Sequence, residues 1–487
     1  MRRGSFDNGL VALVLLFLGW FPVTAFAQVP IEFSWKSAPT ILPERYYHTA
    51  TMLQDNRLLV TGGRRGYDPL RTVRVFDPSA NNGIGTWISF PDMTNRRERH
   101  QATVLPIGGV LISGGLDGVP IRGCELIDPA TAQIQKLPDL LDARYEHTAT
   151  YLSAGKVLAV GSKDYDRGLP TCEIFESLEV AKAGDPRWRW RRTGSLNFGR
   201  GKHRAVKLRD GRILVIGGVH NYVPTATCET FDPRTEVWTQ VASMFLAREG
   251  HTATLLPDGK VLVIGGDIGG EEISSCELFD PSANGGYGKW NLLPATNFGR
   301  KNHTATLING RFIVITGAWR TGQGDRSTEI MDTWRTSPHW YIGPSMLVDR
   351  SNHSATLLPD GRLLLVGGEL FGNQEATGAC DISEKTLDVK EMASPAAFSI
   401  VSIAPNPFTS WTSITISIPG NTPFSLTIHD VLGRIIRTLD PGTGSQGTYV
   451  LGWDGRDDAG VPVPAGLYYC SLRSAEGATT LPLQYVK

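Results

Sequence analysis

The feature that most constrains the fold is a short motif that the chain repeats seven times. In each copy an arginine stands three residues before a histidine, and an alanine stands two residues after it, as in REGHTATLLPDGKVLVIGG and RSNHSATLLPDGRLLLVGG. The seven histidines are His48, His100, His147, His203, His251, His303 and His353. Because the copies recur about every 50 residues, each copy is one unit of a repeat array.

Two further markers accompany every copy of the motif. Thirteen residues before each histidine stands a large apolar residue, which is Trp35, Trp87, Ile134, Trp190, Trp238, Trp290 or Trp340. About 14 residues after the histidine comes a glycine pair, which is degraded to Gly-Ser or Gly-Ala in two copies. Tight-turn dipeptides such as Asp258-Gly259 separate the short β-like runs between these markers. Each unit is therefore predicted to be a small sheet of four strands.

A period near 50 residues with four short strands is typical of a β-propeller blade. By its glycine pairs, its spaced tryptophans and its R-x-x-H strand starts, the chain from about 33 to 391 resembles kelch-repeat propellers. The resemblance implies an all-β, seven-bladed kelch propeller. We predict that residues 33–38 supply the outer strand of the seventh blade. The alternative for that strand is TLDVKEM at 386–392.

The two ends of the chain differ from the repeats. Residues 1–27 have a basic start, an apolar centre and a small-x-small end, which predicts a secretory signal peptide. A membrane anchor is the alternative, but the apolar run is short and Pro22 interrupts it. We expect no stable membrane span. The predicted domains are the signal peptide at 1–27, the propeller at 28–392, a linker at 393–398 and a small β-sandwich at 399–487.

The last segment alternates β-like runs with Gly, Pro and Asp turns, as in a seven-stranded sandwich. Its motifs are PNPF at 405–408, DVLG at 430–433, WDG at 453–455, GLYY at 466–469 and the terminal Lys487. They resemble the C-terminal sorting domain of type IX secretion cargo, related to the immunoglobulin-like (Ig-like) domain of hook-capping proteins. The resemblance implies that the secretion machinery recognises residues 399–487 and that the protein is secreted or held at the cell surface. The acidic stretch at 454–460 lacks a calcium-loop alternation and predicts a hairpin turn.

Most of the histidines and cysteines are predicted to be structural. Equivalent positions of neighbouring blades lie about 10 Å apart, whereas zinc ligands lie about 2.1 Å from the ion, so the repeat histidines cannot share a metal. Five cysteines occupy one strand position in five blades, too far apart for disulfides. We therefore expect hydrogen-bonded histidines, separated thiols, and no metal or cofactor.

The residues that differ between blades are the candidates for recognition. The loop that enters each blade and the loop after its glycine pair open on the same face of a propeller, called here the mouth. Aromatic, charged and amide side chains at such a mouth suit a sugar or a peptide. The candidate ligand-binding residues are Tyr47, Arg64, Tyr67, Arg99, Glu146, Tyr165, Lys202, His220, Tyr222, Asn302, Trp319, Arg320, Asn352 and Phe371.

Charge excludes one class of partner. Lys plus Arg and Asp plus Glu each number 48, so the chain offers no general attraction to nucleic acid. We predict an exported, non-catalytic protein that binds glycan or protein at the mouth. The alternative is a secreted carbohydrate-active kelch enzyme, either similar to galactose oxidase or acting on sialic acids.

Overall fold

The computed structural model describes residues 33–163, 168–178, 187–319, 325–335, 338–370, 375–384, 398–404, 406–408, 412–418, 423–439, 447–459, 461–474 and 477–486. Contacts divide the chain into two units, one within residues 29–391 and one containing residues 392–487. The predicted signal peptide and the alternative strand at 386–392 lie outside the described residues, as does the linker except for Phe398.

The described part of the first unit contains seven four-stranded antiparallel sheets, numbered here by their repeat histidine. Sheets 1 to 4 consist of Thr49–Met52, Leu58–Thr61, Val73–Asp77 and Thr86–Phe90; Gln101–Val104, Val110–Ser113, Cys124–Asp128 and Gln133–Leu137; Thr148–Tyr151, Val157–Val160, Cys172–Leu178 and Arg187–Arg192; Arg204–Lys207, Ile213–Ile216, Cys228–Asp232 and Val237–Val241. Sheets 5 to 7 consist of Thr252–Leu255, Val261–Ile264, Cys276–Asp280 and Lys289–Leu293; Thr304–Ile308, Phe312–Thr316, Thr328–Asp332 and Trp340–Ile342; Ser354–Leu357, Leu363–Val366, Cys380–Ser383 and Trp35–Ala38.

These sheets form a closed ring. The first strand of each sheet contacts the first strands of its two neighbours, and the strand at Thr49–Met52 contacts the strand at Ser354–Leu357. The outer strand of sheet 7 comes from the start of the chain, since Trp35–Ala38 pairs antiparallel with Cys380–Ser383. The second strand of each sheet is buried on both faces, because another sheet lies on each side. The prediction of an all-β propeller is confirmed.

The repeat tryptophans lie between neighbouring sheets. The indole Nε1 of Trp290 donates to the Ala242 carbonyl at 2.8 Å, and the ring packs against Phe279 of its own sheet. The glycine pair follows the second strand with positive φ at both residues. A Cβ on Gly265 would stand 2.5 Å from the Arg300 carbonyl oxygen of the next sheet. Glycine is needed there because the two sheets approach each other closely.

The repeat arginines form buried ion pairs in six sheets. Each guanidinium also donates to glycine-pair carbonyls of its own sheet, as Arg248 does to Gly265 at 2.8 Å. The acidic partner lies on the third strand, and its carboxylate often accepts backbone N–H groups as well. The pairs are Arg97–Glu125, Arg144–Glu173, Arg200–Glu229, Arg248–Glu277, Arg300–Glu329 and Arg350–Asp381.

The repeat histidines connect one sheet to the preceding one. In six of the seven, Nε2 forms a hydrogen bond with a hydroxyl, usually the one that follows the preceding sheet's own histidine. Burial lowers the pKa of His48 and His147 to about 3, so both rings are neutral at pH 7. The predicted structural role of these histidines is confirmed. All six cysteines are buried, free thiols, in agreement with the expected separation.

The second unit has its own core. One sheet has three strands, which are Ser399–Ala404, Thr412–Ile418 and Gly447–Trp453. The other sheet has four strands, which are Ile435–Leu439, Phe424–His429, Gly466–Ser474 and Gly477–Tyr485. Apolar residues of both sheets, including Trp453, form one buried cluster. The carboxylate of Asp457 accepts the N–H groups of Ala459 and Val461, as expected for a turn. Among the described residues of the whole chain, no helix is long and apolar enough to cross a membrane.

Candidate functional site

The residue before each repeat histidine lies at the inner end of its sheet, around the axis of the ring. All seven have positive φ, between 51° and 63°. Their backbones form a chain of hydrogen bonds from sheet to sheet, in which the Arg99 N–H donates to Tyr47 at 3.0 Å and the Tyr47 N–H donates to Asn352 at 3.2 Å. The seven residues, called here the axial residues, are Tyr47, Arg99, Glu146, Lys202, Gly250, Asn302 and Asn352.

The axial residues are of two sizes. Sheets 1 to 4 carry Tyr, Arg, Glu and Lys, whereas sheets 5 to 7 carry Gly, Asn and Asn. Positive φ is unfavourable for large side chains, while glycine and asparagine adopt it readily. Four large residues at such positions indicate that something other than backbone preference selects them, and backbone strain of this kind concentrates at functional sites.

The large axial residues form one connected group. The Arg99 guanidinium donates to the Glu146 carboxylate at 2.8 Å and lies 3.9 Å above the centre of the Tyr47 ring. Burial raises the pKa of the Tyr47 hydroxyl to about 12, against the effect of Arg99. Burial alone would lower the pKa of Arg99, but the Glu146 carboxylate and its neighbours raise it overall. The group thus presents a fixed cation, a fixed anion and an aromatic ring, each still partly exposed.

A second layer supports this group from one residue earlier in each loop. Glu98 is buried and lies within 3.3 Å of Arg64 and 3.6 Å of Arg99. Burial raises the pKa of Glu98, and both arginines oppose that effect. Arg64 also lies 5.5 Å from the ring centres of Tyr46 and Tyr67. Arg64, Tyr67, Arg99, Tyr47 and Glu146 are therefore brought together, as a mouth site requires.

The remaining sheets carry separate polar pairs. Lys202 pairs with Glu249 at 2.8 Å, and the side-chain amide of Asn352 donates to Glu369 at 2.9 Å. Lys301 pairs with Asp267 at 2.5 Å. Burial raises the pKa of Glu369. Asn302 occupies its axial position, and Trp319 pairs through the backbone with Lys301 at the rim. These candidates lie on the same face as the Arg99 group, and Arg64 and Arg99 oppose the effect of burial on the pKa of Glu369.

Small hairpins raise two tyrosines above the rim. Arg64–Arg65 pairs with Asp68–Pro69, and Val219–His220 pairs with Val223–Pro224. Tyr67 and Tyr222 at their tips are 78% and 66% exposed. Exposed aromatic rings at loop tips offer apolar faces to a ligand. His220 lies below its tip, where Nδ1 donates to the Gly199 carbonyl at 2.6 Å and Nε2 accepts from Asn221 at 3.0 Å.

Some sequence predictions could not be placed and some contributors were missed. Tyr165, Arg320 and Phe371 lie outside the described residues. The candidate residues did not include Tyr46, Glu98 or Lys301, which stand two residues before a repeat histidine. The sequence could have identified these residues, because this position varies between repeats as much as the axial position does.

Among the described residues, no group of three His, Cys, Asp or Glu side chains could hold a metal ion. The repeat histidines lie in separate sheets, and both ring nitrogens of His220 already have partners. His339, the other propeller histidine outside the repeat, lies against Tyr341 with ring centres 3.9 Å apart and ring planes tilted by 48°.

Comparison with known proteins agrees with this architecture. Residues 45–94 and 203–245 match the Kelch motif, and residues 409–478 match the FlgD Ig-like domain. Together the fold and these matches define a kelch-repeat propeller followed by an Ig-like domain. Over 62 residues the chain is 39% identical to the basal-body rod modification protein FlgD of Salmonella typhimurium and of Salmonella typhi. The alignments cover 12% of this chain and 27% of each relative, so they concern one domain only.

A solved structure shares the fold. It is a fungal alcohol oxidase of the AA5 family in complex with copper, with a TM-score of 0.58 and 15% identity over 92% of this chain and 99% of the oxidase. At this identity the likeness concerns the fold, and fold alone does not determine activity.

Proposed function

We propose that the propeller mouth binds a glycan outside the cell without chemically changing it. The observation that carries the proposal is the Tyr47–Arg99–Glu146 group, in which a stacked guanidinium and its carboxylate lie on the axis and remain partly exposed. The carboxylate accepts from sugar hydroxyls and the guanidinium donates to them. The exposed rings of Tyr67 and Tyr222 provide apolar surface for the C–H faces of a sugar ring.

The group is also preorganised. Arg99 is held by an ion pair, by the Tyr47 ring and by backbone hydrogen bonds to Tyr47 and Glu146, so few rotatable bonds become fixed when a ligand binds. A site whose side chains are already ordered loses less entropy on binding. A binding screen could instead identify a protein ligand, in which a segment offers hydroxyl, amide and aromatic groups to the same surface.

An oxidase resembling the copper enzyme is the second candidate function, and the shared fold is the observation that favours it. Elemental analysis after incubation with copper, together with an assay of hydrogen peroxide formation from galactose and simple alcohols, separates the two. Stoichiometric copper with peroxide release would refute the non-catalytic proposal.

We further propose that residues 399–487 act as a sorting domain of the type IX kind after export by the N-terminal signal peptide. The match of 409–478 to the FlgD Ig-like domain supports a separate small domain there but does not identify its role. The test is to express the full chain and a chain ending at residue 392 in a bacterium with type IX secretion. Export of the truncated chain to the medium would refute the sorting role.

A glycan array tests the mouth. Wild type should bind a subset of glycans, and Arg99→Ala and Tyr67→Ala should each lose most of that signal. Arg234→Ala and Tyr287→Ala remove an exposed arginine and an exposed tyrosine from the turns between the third and fourth strands of sheets 4 and 5, and serve as matched controls. Mass spectrometry of the bound glycan should show it unchanged. Equal binding by Arg99→Ala and Arg234→Ala would place the site elsewhere.

A further inference from the structure

The first strands of the seven sheets surround the axis of the ring, and one of them differs from the rest. Six of these strands carry no charged residue, whereas the strand of sheet 4 carries both Arg204 and Lys207. In order, the seven strands read TATM, QATV, TATY, RAVK, TATL, TATLI and SATL. The two cations therefore stand out against a lining of hydroxyl and apolar side chains.

Arg204 replaces the residue that normally connects two sheets. In five sheets the residue after the repeat histidine is a threonine or serine, and Gln101 takes this place in sheet 2. The threonines and the serine bond to the histidine of the next sheet, as Thr252 does to His303 at 3.0 Å. With arginine at position 204, Nε2 of the fully buried His251 has no hydrogen-bond partner among the described residues. The exception costs stability, because a buried polar atom without a partner is unfavourable.

The guanidinium of Arg204 is only partly used by the protein. Its Nε donates to the His251 carbonyl at 2.7 Å, which orients the group, and the side chain as a whole is exposed. Because Arg204 lies on an inner strand of the ring, the solvent it meets is that of the central channel. Surrounding protein lowers the pKa of Arg204 by desolvation, and the axial Glu146 opposes this effect. Arg204 therefore lies close enough to the mouth to interact with an axial residue.

The neighbouring axial cations have direct partners. Arg99 pairs with Glu146, and Lys202 pairs with Glu249. At the other end of the same strand, Lys207 donates to the Leu152 carbonyl and lies 5.6 Å from the Tyr151 ring centre. For Arg204 no ion pair within the described residues is found, and its two Nη groups remain available. Arginine presents such a fork with geometry suited to planar or tetrahedral oxyanions.

We propose that Arg204 binds an oxyanion at the mouth end of the channel, and that this oxyanion is the carboxylate or sulfate of an acidic glycan. The assignment to a glycan rests on the proposed function, whereas the oxyanion site itself does not. At position 204 a charged residue stands where the repeat has a stabilising one. Such a departure is expected where a functional requirement outweighs stability.

Arg204→Thr is the decisive variant, because it restores the residue found in four other sheets. It should fold, and it should unfold at a higher temperature than wild type if the threonine hydroxyl bonds to His251. Arg234→Thr changes an exposed arginine in the turn between the third and fourth strands of the same sheet and is the matched control. If Arg204 had only a structural role, its replacement would not give a variant that is more stable than wild type and yet binds oxyanions more weakly.

Calorimetric titrations should compare glucuronate with glucose, and inorganic sulfate should be tested by the shift in melting temperature. Wild type and Arg234→Thr should prefer glucuronate, and Arg204→Thr should bind it about 10- to 100-fold more weakly, the loss of one hydrogen bond to a charged group. Glucose binding should be unchanged.

The outcomes separate the two proposals. If sulfate stabilises wild type but not Arg204→Thr while no sugar binds, the oxyanion site stands and the glycan function fails. If sugars bind at the mouth but Arg204→Thr keeps the preference for glucuronate, the glycan function stands and the role of Arg204 is refuted. Equal response of wild type and Arg204→Thr to both sulfate and glucuronate also refutes it.

Discussion

Replacing Glu277 by glutamine tests the ion pair that recurs between strands of the propeller. Glu277 and its partner Arg248 have no exposed surface. The carboxylate of Glu277 accepts the Phe245 N–H at 2.7 Å, the Leu246 N–H at 3.2 Å and a guanidinium N–H of Arg248. A glutamine retains the volume but removes the negative charge, and its NH₂ group faces donors. The guanidinium is left buried without a counter-charge.

The size of the effect follows from this geometry. Breaking a buried ion pair by changing one partner costs about 3–5 kcal/mol. Unfolding entropy is about 2.1 cal/mol/K per residue, so for a unit of roughly 350 residues each kcal/mol lowers the melting temperature by about 1.4 °C. Glu277→Gln should therefore melt about 4–7 °C below wild type in differential scanning calorimetry at pH 7.

A control pair makes the result decisive. Arg234 pairs with Asp232 at 2.9 Å, but the arginine side chain is 86% exposed. Arg234→Gln breaks this exposed pair, and since water and salt screen it, no measurable shift is expected. If Glu277→Gln and Arg234→Gln both melt at the wild-type temperature, the buried pairs do not stabilise the propeller and the reasoning is wrong.

Three further predictions concern the same architecture. Sheet 1 has Arg74 where the other sheets have the acidic partner, and burial together with Arg74 lowers the pKa of Arg45 to about 9. Because Arg74→Glu replaces this cation by an acidic partner, it should raise the melting temperature, and a decrease would contradict this account. Burial holds the pKa of His48 and His147 near 3, below the unfolded value of about 6.5, so the unfolded state binds more protons as pH falls. The contribution of these histidines to the free energy of unfolding should be full above pH 6.5 and decline towards pH 3. A melting temperature independent of pH between 7 and 4 would refute this prediction. Burial also raises the pKa of Cys124 and Cys470 to about 12; a thiol reagent should label no cysteine in the native protein and all six after denaturation, and labelling of the native protein would show that the sheets open.

The propeller was predictable from sequence because each sheet depends on its neighbours in the same way. One histidine, one tryptophan and one glycine pair per unit solve the same packing problem each time, so their spacing reveals the strands. The Ig-like unit was predictable from alternation and turns, and its seven described strands agree with the expected number.

The site was less predictable because recognition depends on departures from the repeat. Sequence located the axial residues, but the stacking of Arg99 on Tyr47 depends on how neighbouring loops approach around the ring. Likewise, Glu98 acquires its role from Arg64, which lies 34 residues away along the chain. The exception at Arg204 was visible in an alignment of the seven repeats, but its meaning required the unpartnered nitrogen of His251.

The pairing of Trp35–Ala38 with Cys380–Ser383 has a consequence for how the molecule comes into being. Contacts between residues some 345 positions apart must form last, since closing so long a loop is entropically costly. Until residue 383 is available, the partner edge of Trp35–Ala38 does not exist, and a nascent chain remains an open arc with a bare edge at each end. Any truncation that removes Cys380–Ser383 therefore leaves Trp35–Ala38 without its partner strand, and the ring cannot close.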